Sequence, residues 1–405
     1  MTTQVGPMID VTTDRRQAER LAEPAAPSSS TPDAEARILV ASQWTLMWRK
    51  FRKHRLAMVG GTVTIVIYLV VLFAEFLAPF PDAAFSSQYP YAPPQPLHLF
   101  DRTAEGLRFS PYVNGYSVSV NQVALKREFV VDQEIKIPVR LLVHGTPYKL
   151  LGLFDTDLHL IGPLEYDQDP LRIVTPMYLL GADRMGRDVL SRIIHGTRIS
   201  MTLGLVGVAV SFVIGLTLGG LSGFYGGWVD NSIQRVIELL RSIPTIPLWM
   251  GLAAALPSSW TPLQVFFGIT ILLSLIGWTG LARVVRGRFL ALRTEDFIMS
   301  ARLDGNTTMR IIRVHMIPAF ASHIIASLTL AIPGMILAET ALSFLGLGLR
   351  PPIVSWGVLL KEAQNIRAVA TAPWLLLPGV AVVIAVLALN FLGDGLRDAA
   401  DPYGR

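Results

Sequence analysis

Apolar runs about as long as a bilayer is thick constrain this chain more than any other feature. They lie at about 56–80, 199–221, 244–257, 265–285, 321–349 and 374–396. A helix rises 1.5 Å per residue, so roughly 20 apolar residues cross a ~30 Å hydrocarbon core. Lipid offers the backbone no hydrogen bonds, and runs of this length satisfy their own as helices. The expected fold is an all-α polytopic membrane protein with six transmembrane helices. The third run is short and carries Pro244, Pro247 and Pro257, which membrane helices tolerate where neighbours re-satisfy the freed carbonyls. Composition agrees: 51% of the 405 residues are hydrophobic and 16% charged, against about a quarter charged in soluble domains.

The segments between the runs set the organisation. Residues 1–36 are rich in Ser, Thr, Pro, Ala and charge and are expected to be a disordered cytoplasmic tail. Segment 37–80 holds an interfacial helix and the first span. Trp44, Met47, Trp48 and Phe51 alternate there with Arg49, Lys50, Arg52 and Lys53, as in a helix lying among headgroups; a solvated basic linker is the plainer alternative. Segment 83–180 has a different texture. Tyr116-Ser117-Val118-Ser119-Val120 and Glu134-Ile135-Lys136-Ile137-Pro138-Val139 alternate polar and apolar between turn residues, which predicts short strands. This is a small β-rich extracytoplasmic insert between helices 1 and 2. Segment 181–396 is the core membrane domain with helices 2–6 and a cytoplasmic loop at 289–318. Segment 397–405 is a cytoplasmic C-terminus. No cleavable signal peptide is expected at the start.

Several function classes fall away. The net charge of +5 sits in short stretches beside the spans, where cytoplasmic loops concentrate Lys and Arg, so no nucleic acid is expected as a partner. There is no cysteine, hence no disulfide framework, cysteine-ligated zinc or thiol nucleophile. The seven histidines are scattered without an H-E-x-x-H pair, so no metal site is expected. No G-x-x-x-x-G-K-[ST] occurs, so no phosphate-cradling loop of that kind is expected in this chain. No catalytic residue is assigned.

Six spans place both termini on one side. Arg49, Lys50, Arg52, Lys53 and Arg55, with Arg283, Arg286, Arg288, Arg293, Arg302, Arg310 and Arg313, make that side cytoplasmic. Arg184, Arg187, Arg192 and Arg198 would then sit outside, against the rule.

Residues 296–318, DFIMSARLDGNTTMRIIRVHMIP, are too many for a simple turn. Phe297 and Ala301 have helical spacing, Gly305 is a natural left-handed stop, and Asn306 and Thr307 can cap a second helix bearing Ile311, Ile312 and Ile317. Pro318 marks the return to the membrane. A helix–Gly–helix of this kind can carry force into a bundle; an amphipathic connector resting on lipid is the alternative.

The same loop resembles the coupling loop of binding-protein-dependent ABC importers, with the glycine at Gly305 and the proline at Pro318. The Glu-Ala-Ala positions fall on Met299-Ser300-Ala301, so the glutamate and first alanine are absent. Gly181-Ala182-Asp183-Arg184-Met185-Gly186-Arg187-Asp188 to Arg192, Gly196-Thr197-Arg198-Ile199-Ser200, Gly223-Phe224-Tyr225-Gly226-Gly227, Ala341-Leu342-Ser343-Phe344-Leu345-Gly346-Leu347-Gly348, and Gly393-Asp394-Gly395 with Asp401-Pro402 are similar to the oligopeptide/dipeptide/nickel branch. Ser42-Gln43-Trp44 and Met58-Val59-Gly60 resemble its C-type permease subunit. The resemblance covers about 40–80 and 180–405, and the 83–180 insert is longer than in typical members.

The resemblance implies a permease in a bacterial plasma membrane, importing peptides or similar small oligomers. It implies a heterodimer with a paralogous permease, two cytoplasmic ATPase subunits that bind the ATP and Mg, and an extracytoplasmic substrate-binding protein. Ser300, Ala301, Arg302, Gly305, His315 and Pro318 would form the ATPase-coupling loop, and Asp183, Gly186, Arg187 and Asp188 the family signature outside. Oligosaccharide or nickel import is the alternative within the family. A secondary transporter would show inverted repeats and more intramembrane charge, an intramembrane enzyme a paired nucleophile and base; a scaffold for other membrane proteins is a further rival.

A few further residues carry expectations. Glu339 inside the fifth span is a pathway candidate, since ionisable groups there are costly, with a hydrogen-bonded packing role as its rival. Glu75 is expected to snorkel to the interface. Gly215, Gly219, Gly223 and Gly227 recur every four residues, an interval that lets helices approach. Asp394, Arg397, Asp398 and Asp401 share a face and are expected to pair. His195 and His315 are expected to be structural. Asn306-Thr307-Thr308 fits a glycosylation pattern but falls on the cytoplasmic side and is set aside.

Overall fold

The computed structural model describes residues 43–103, 106–121, 126–167, 169–257 and 259–400. The expected tail at 1–36 and the pair Asp401-Pro402 lie outside them. The expected interfacial segment is a helix, α1 (Gln43–Lys53). The membrane-length helices are α2 (Arg55–Leu72), α3 (Val189–Tyr225), α6 (Pro262–Leu292), α8 (Ala321–Phe344) and α10 (Leu377–Ala400), the last led in by a 3-10 turn from Pro373. These five are long and apolar enough to cross a bilayer.

The third apolar run departs from the expectation. Ahead of it lies α4 (Gly227–Ser242), and the run itself forms only the ten-residue α5 (Thr245–Ala254), the two helices bent by 88° at the break before Thr245. Pro244 and Pro247 remove the amides that would continue the ladder. Other boundaries also move. The first span ends at Leu72, with a separate turn at Ala74–Leu77. The second is 37 residues, about 56 Å at 1.5 Å per residue, so it outruns the hydrocarbon core.

Close approach of backbones holds the bundle together, and α3 supplies the small residues. A Cβ on Gly215 would lie 3.1 Å from Leu281 and from the Trp278 carbonyl, one on Gly219 2.4 Å from the Ala282 carbonyl, and one on Gly223 2.7 Å from the Arg286 carbonyl. Both series rise together, so α3 and α6 are parallel. Gly227 is not part of this stripe. It has φ +54 with nothing within 4 Å of a Cβ, and it opens α4. On the opposite flank α3 meets α8 antiparallel, with Gly204 against Ile336 and Gly207 against Met335. Helix α2 meets α10 antiparallel, Gly60 against Ala388 and Gly395 against Ala57.

Helices α4 and α5 accompany α6 in the reverse direction. Asp230 forms a two-point ion pair with Arg286, Ile237 clusters with Trp278 and Ala282, and Ala253 clusters with Phe266, Ile269 and Leu273. From Arg286 to Phe266 is about 30 Å of helix.

The insert is a four-stranded antiparallel sheet in the order β1 (Leu97–Thr103), β2 (Gly106–Asn121), β3 (Lys126–Leu150) and β4 (Phe154–Pro163). The strands occupy only 97–163, and they are long where short ones were expected. Strand β3 pairs with β2 through Lys126–Pro138 and with β4 through Val139–Leu150. The alternation is interrupted too: Val113, Tyr116 and Val139 are buried, whereas Val118 and Ile135 are exposed. A bulge between Asn114 and Gly115 shifts the register and switches the face that points inward. The core of this unit includes Phe80, Ala84, Met177, Tyr178 and Ala182 from the flanking segments. Gln95 ties it together, accepting from the Tyr178 amide at 2.6 Å and donating to the Asn114 carbonyl at 2.7 Å.

The C-terminal charges behave differently from expectation. Among the described residues Arg397 makes no ion pair with Asp394 or Asp398; Asp398 lies 3.8 Å from His54 Nε2 instead.

Candidate functional site

Two ends of the bundle carry the residues of interest. At one end, the signature loop leads into α3. Asp183 is 2% exposed and organises a tight turn. Its carboxylate accepts from the amides of Met185 (2.8 Å) and Arg187 (3.0 Å), from Arg187 Nε (2.6 Å) and from the Arg192 guanidinium. The turn needs Gly186: its φ is +72, and a Cβ would fall 2.0 Å from the Ser86 carbonyl. Asp188 is the N-cap of α3, accepting from the Ser191 amide at 2.7 Å and its hydroxyl at 2.6 Å. A side-chain oxygen satisfies one of the orphan amides of the first turn.

Carboxylates lie beside the four arginines that were expected to run against the positive-inside rule. Arg187 and Arg192 bind Asp183, Arg184 lies 3.9 Å from Glu362, and Arg198 grips Glu75 at two points while donating to the Val71 carbonyl at 3.0 Å. Each of the four arginines has a carboxylate partner; Arg187, Arg192 and Arg198 act as structural ties, whereas the Arg184 side chain is largely exposed. Glu75 accordingly does not snorkel. Burial opposes its ionisation, but the Arg198 guanidinium outweighs that and holds its carboxyl below the usual range.

Asp188 is fully buried, and desolvation lifts its pKa to about 6 despite the Ser191 hydrogen bonds. An acid whose folded pKa lies above its unfolded value binds its proton more tightly when folded. Its contribution is therefore complete below the unfolded value near 3.8 and is lost as pH rises through about 6. Asp188→Asn keeps an acceptor for the Ser191 amide and cannot ionise. The expected result is that the purified variant loses less stability between pH 4 and pH 6.5 than wild type does, by roughly 2 kcal/mol, seen as a smaller fall in melting temperature. An unchanged pH profile would contradict the assignment.

Glu339 lies nearby, toward the C-terminal end of α8, and is completely buried. Its Oε1 accepts from the hydroxyls of Ser343 and Ser355, each at 2.7 Å, and its Oε2 from Ser200 at 3.3 Å. Ser200 in turn accepts from the Trp356 amide and Ser343 from the Leu349 amide. The carboxylate thus knots α3, α8 and α9 (Trp356–Glu362), the arrangement expected of a hydrogen-bonded packing residue.

At the other end lies the 296–318 element. It begins with α7 (Asp296–Leu303), which stops at Gly305, φ +74. Asn306 does not cap the next helix; its side chain returns to the Ala301 carbonyl at 3.0 Å. Thr307 occupies the N-cap position of the next turn without a side-chain cap bond. The following stretch is a π-helix over Ile311–Met316. Ile298, Ala301, Ile311 and Met316 are buried with Val285 and Phe289 of α6, Phe320 at the N-cap of α8 and Ile324 of α8. The inward pair of α7 is therefore Ile298 and Ala301, and Phe297 is exposed.

The expected coupling residues thus divide. Ala301 faces the bundle, His315 is half-buried, and Ser300, Arg302, Gly305 and Pro318 are exposed. Arg302 lies over the Phe224 ring at 5.1 Å. Met299, Leu303 and Met309 are also exposed on this element, Leu303 at 87%; sequence reading noted Met299 only as a motif position and did not single out Leu303 or Met309. The signal was present: with Ile298 and Ala301 inward, Leu303 falls about 200° beyond Ala301 at 100° per residue. Among the described residues no group of three His, Asp or Glu side chains is placed to hold a metal.

Comparison with known proteins agrees with this anatomy. Residues 215–403 match the model of the binding-protein-dependent transport system inner membrane component. Residues 42–94 match the N-terminal TM domain of oligopeptide transport permease C. Neither model reaches 95–214, which contains the sheet. The glutathione transport system permease of Pectobacterium atrosepticum is 36% identical over 256 residues, covering 63% of this chain and 79% of that protein. The dipeptide transport system permease of Bacillus subtilis is 36% identical over 225 residues, 55% of this chain and 68% of its own. The oligopeptide transport system permease of Mycobacterium bovis is 39% identical over 228 residues, 56% and 76% respectively. With relatives this similar over most of their length, and with membrane helices where the family models match, the chain belongs to the binding-protein-dependent ABC importer permeases, as a multi-pass membrane subunit whose ATPase is a separate chain.

Proposed function

We propose that this permease imports peptides or similar small oligomers across the bacterial plasma membrane, paired with a paralogous permease, two cytoplasmic ATPases and an extracytoplasmic substrate-binding protein. The cargo reading rests on relatives named for dipeptide, oligopeptide and glutathione transport. The observation that carries the mechanism is the 296–318 element. Its inner side is buried in the same cluster as α6 and α8, and its outer side offers Met299, Leu303 and Met309. An ATPase gripping that ridge would move the bundle, and affinity that differs between two bundle states is what shifts their populations.

A six-span topology is supported by helix direction. Parallel α3 and α6 require the chain to return across the bilayer between them, and α4–α5 follow α6 back over about one membrane thickness. Both termini and 296–318 then lie in the cytoplasm and the sheet outside. The Lys and Arg residues of the N-terminal approach and of 283–313 support this orientation, while Arg184, Arg187, Arg192 and Arg198 run against the rule.

The absence of cysteine makes the test clean. Ser300→Cys and Leu153→Cys, made singly, are treated in intact cells with a membrane-impermeant maleimide. Leu153→Cys is expected to react and Ser300→Cys only after lysis. In proteoliposomes carrying all partners, labelled tripeptide should accumulate only with ATP. Labelling of Ser300→Cys from outside would overturn the topology, and absence of ATP-dependent uptake the cargo reading.

A further inference from the structure

A cleft of about 310 Å³ opens between the signature turn and helix α9, at the end of the bundle that bears the sheet. Its charge is one-sided. Arg184, Arg187, Arg192 and Lys361 line it, and Glu362 is the one carboxylate among its lining residues. Asp183 stands behind Arg187 and Arg192 and accepts from both, which leaves Arg184 and Lys361 to face Glu362.

Three features distinguish this cleft from an ordinary surface dent. Arg192 is 4% exposed, and its buried Nε has no hydrogen-bond partner among the described residues; an orphaned guanidinium donor is costly unless something fills the role. Lys361 makes no ion pair among the described residues, and its Nζ lies 2.7 Å from where a Cβ on Gly346 would be, so the glycine leaves room for the ammonium. Tyr91, on the opposite wall, is held at φ +57, a conformation that non-glycine residues adopt at a cost of order 1–3 kcal/mol and that clusters at functional sites. Burial, with the Asp183 charge beside it, raises the Glu362 pKa above the usual carboxylate range, which weakens the only negative charge lining the space.

We propose that this cleft is a binding site for a free carboxylate, and that the carboxylate it receives is the C-terminal group of a peptide. The planar donors of Arg184 and Arg187 match a carboxylate's two oxygens. Lys361 adds a mobile point charge at the rim. The choice of a peptide terminus rests on the cargo proposed above; the anion site itself rests on the geometry.

The experiment needs neither ATP nor transport. The purified full-length permease, with its partner subunits, is treated with a limiting amine-acylating reagent, and the rate at Lys361 is followed by mass spectrometry. N-acetyl-trialanine, which has no amine to consume the reagent, is expected to slow that rate about tenfold at saturation, an amount that one charge-assisted contact supplies. N-acetyl-trialanine amide, lacking the carboxylate, should leave it unchanged. Arg184→Gln, whose wild-type side chain is 63% exposed and so is dispensable for folding, should raise the N-acetyl-trialanine concentration needed by several fold.

Equal protection by the acid and the amide, or none by either, overturns the proposal. Equal protection by inorganic phosphate overturns the carboxylate assignment. A complex that imports no tripeptide yet shows acid-specific protection loses the cargo reading and keeps the site. One that imports tripeptide without protection keeps the cargo reading and loses the site.

Discussion

Gly219→Leu is expected to abolish production of a folded permease. The Cβ of any residue there would stand 2.4 Å from the Ala282 carbonyl oxygen and 2.8 Å from its Cα. These are backbone atoms, so no rotamer change can make room. Helices α3 and α6 would have to separate along the seam that Gly215, Gly219 and Gly223 create. Ordinary overpacking costs about 1–3 kcal/mol; a clash with a neighbouring backbone in the centre of the bundle should exceed about 4 kcal/mol, a large part of typical stability. Size-exclusion chromatography of a fluorescent fusion should show the monodisperse peak reduced more than tenfold. Gly280→Leu is the matched control, on α6 with nothing within 4 Å of its Cβ, and should run like wild type. A monodisperse Gly219→Leu protein with the wild-type melting temperature would disprove the packing account.

Leu303→Glu should have the opposite profile, an intact fold with lost transport. Leu303 ends α7, is 87% exposed, and belongs to none of the buried clusters around Ile298 and Ala301. Its replacement removes no intramolecular packing, so the melting temperature should stay within about 2 °C, as is usual for surface changes. If the outer ridge of α7 seats in an ATPase groove, a carboxylate there costs a central apolar contact and buries a charge, worth more than about 2 kcal/mol. That is about a thirtyfold weakening. Co-purification of the ATPases and ATP-driven uptake should both fall below about a tenth of wild type. Retention of both would remove α7 from the coupling role, and a coincident collapse in stability would show that Leu303 is structural instead.

The two variants also mark where sequence reading succeeded and where it stopped. The four-residue glycine interval in α3 pointed to a helix seam, yet the partner could not be named, because small-residue spacing says nothing about which helix approaches. Gly227 satisfied the interval and lies outside the seam, since the chain breaks at Gly226 and Gly227, both at positive φ. The 296–318 loop was legible as helix–glycine–helix. Phe297 and Ala301 share helical spacing, yet Ala301 is buried with Ile298 while Phe297 is exposed, because a helix of eight residues, little more than two turns, holds too few positions to fix a phase. Pro244 and Pro247 were read as tolerated within a span, and they mark an 88° bend.

Local chemistry accounts for what the residues could announce alone: the length of the apolar runs, the bases flanking them, the missing phosphate loop and the family motifs. Each depends on neighbours along the chain, which any reader of the string can see. The tertiary structure alone decided the rest. Arg198 is tied to Glu75 across 123 positions, the Arg184 amide donates to Glu362 across 178, and Glu339 accepts from Ser200 across 139 as well as from Ser343 and Ser355. A charge in a poorly hydrated place is tolerable only beside its counter-charge or donors, and those partners arrive from far along the chain only when the helices pack.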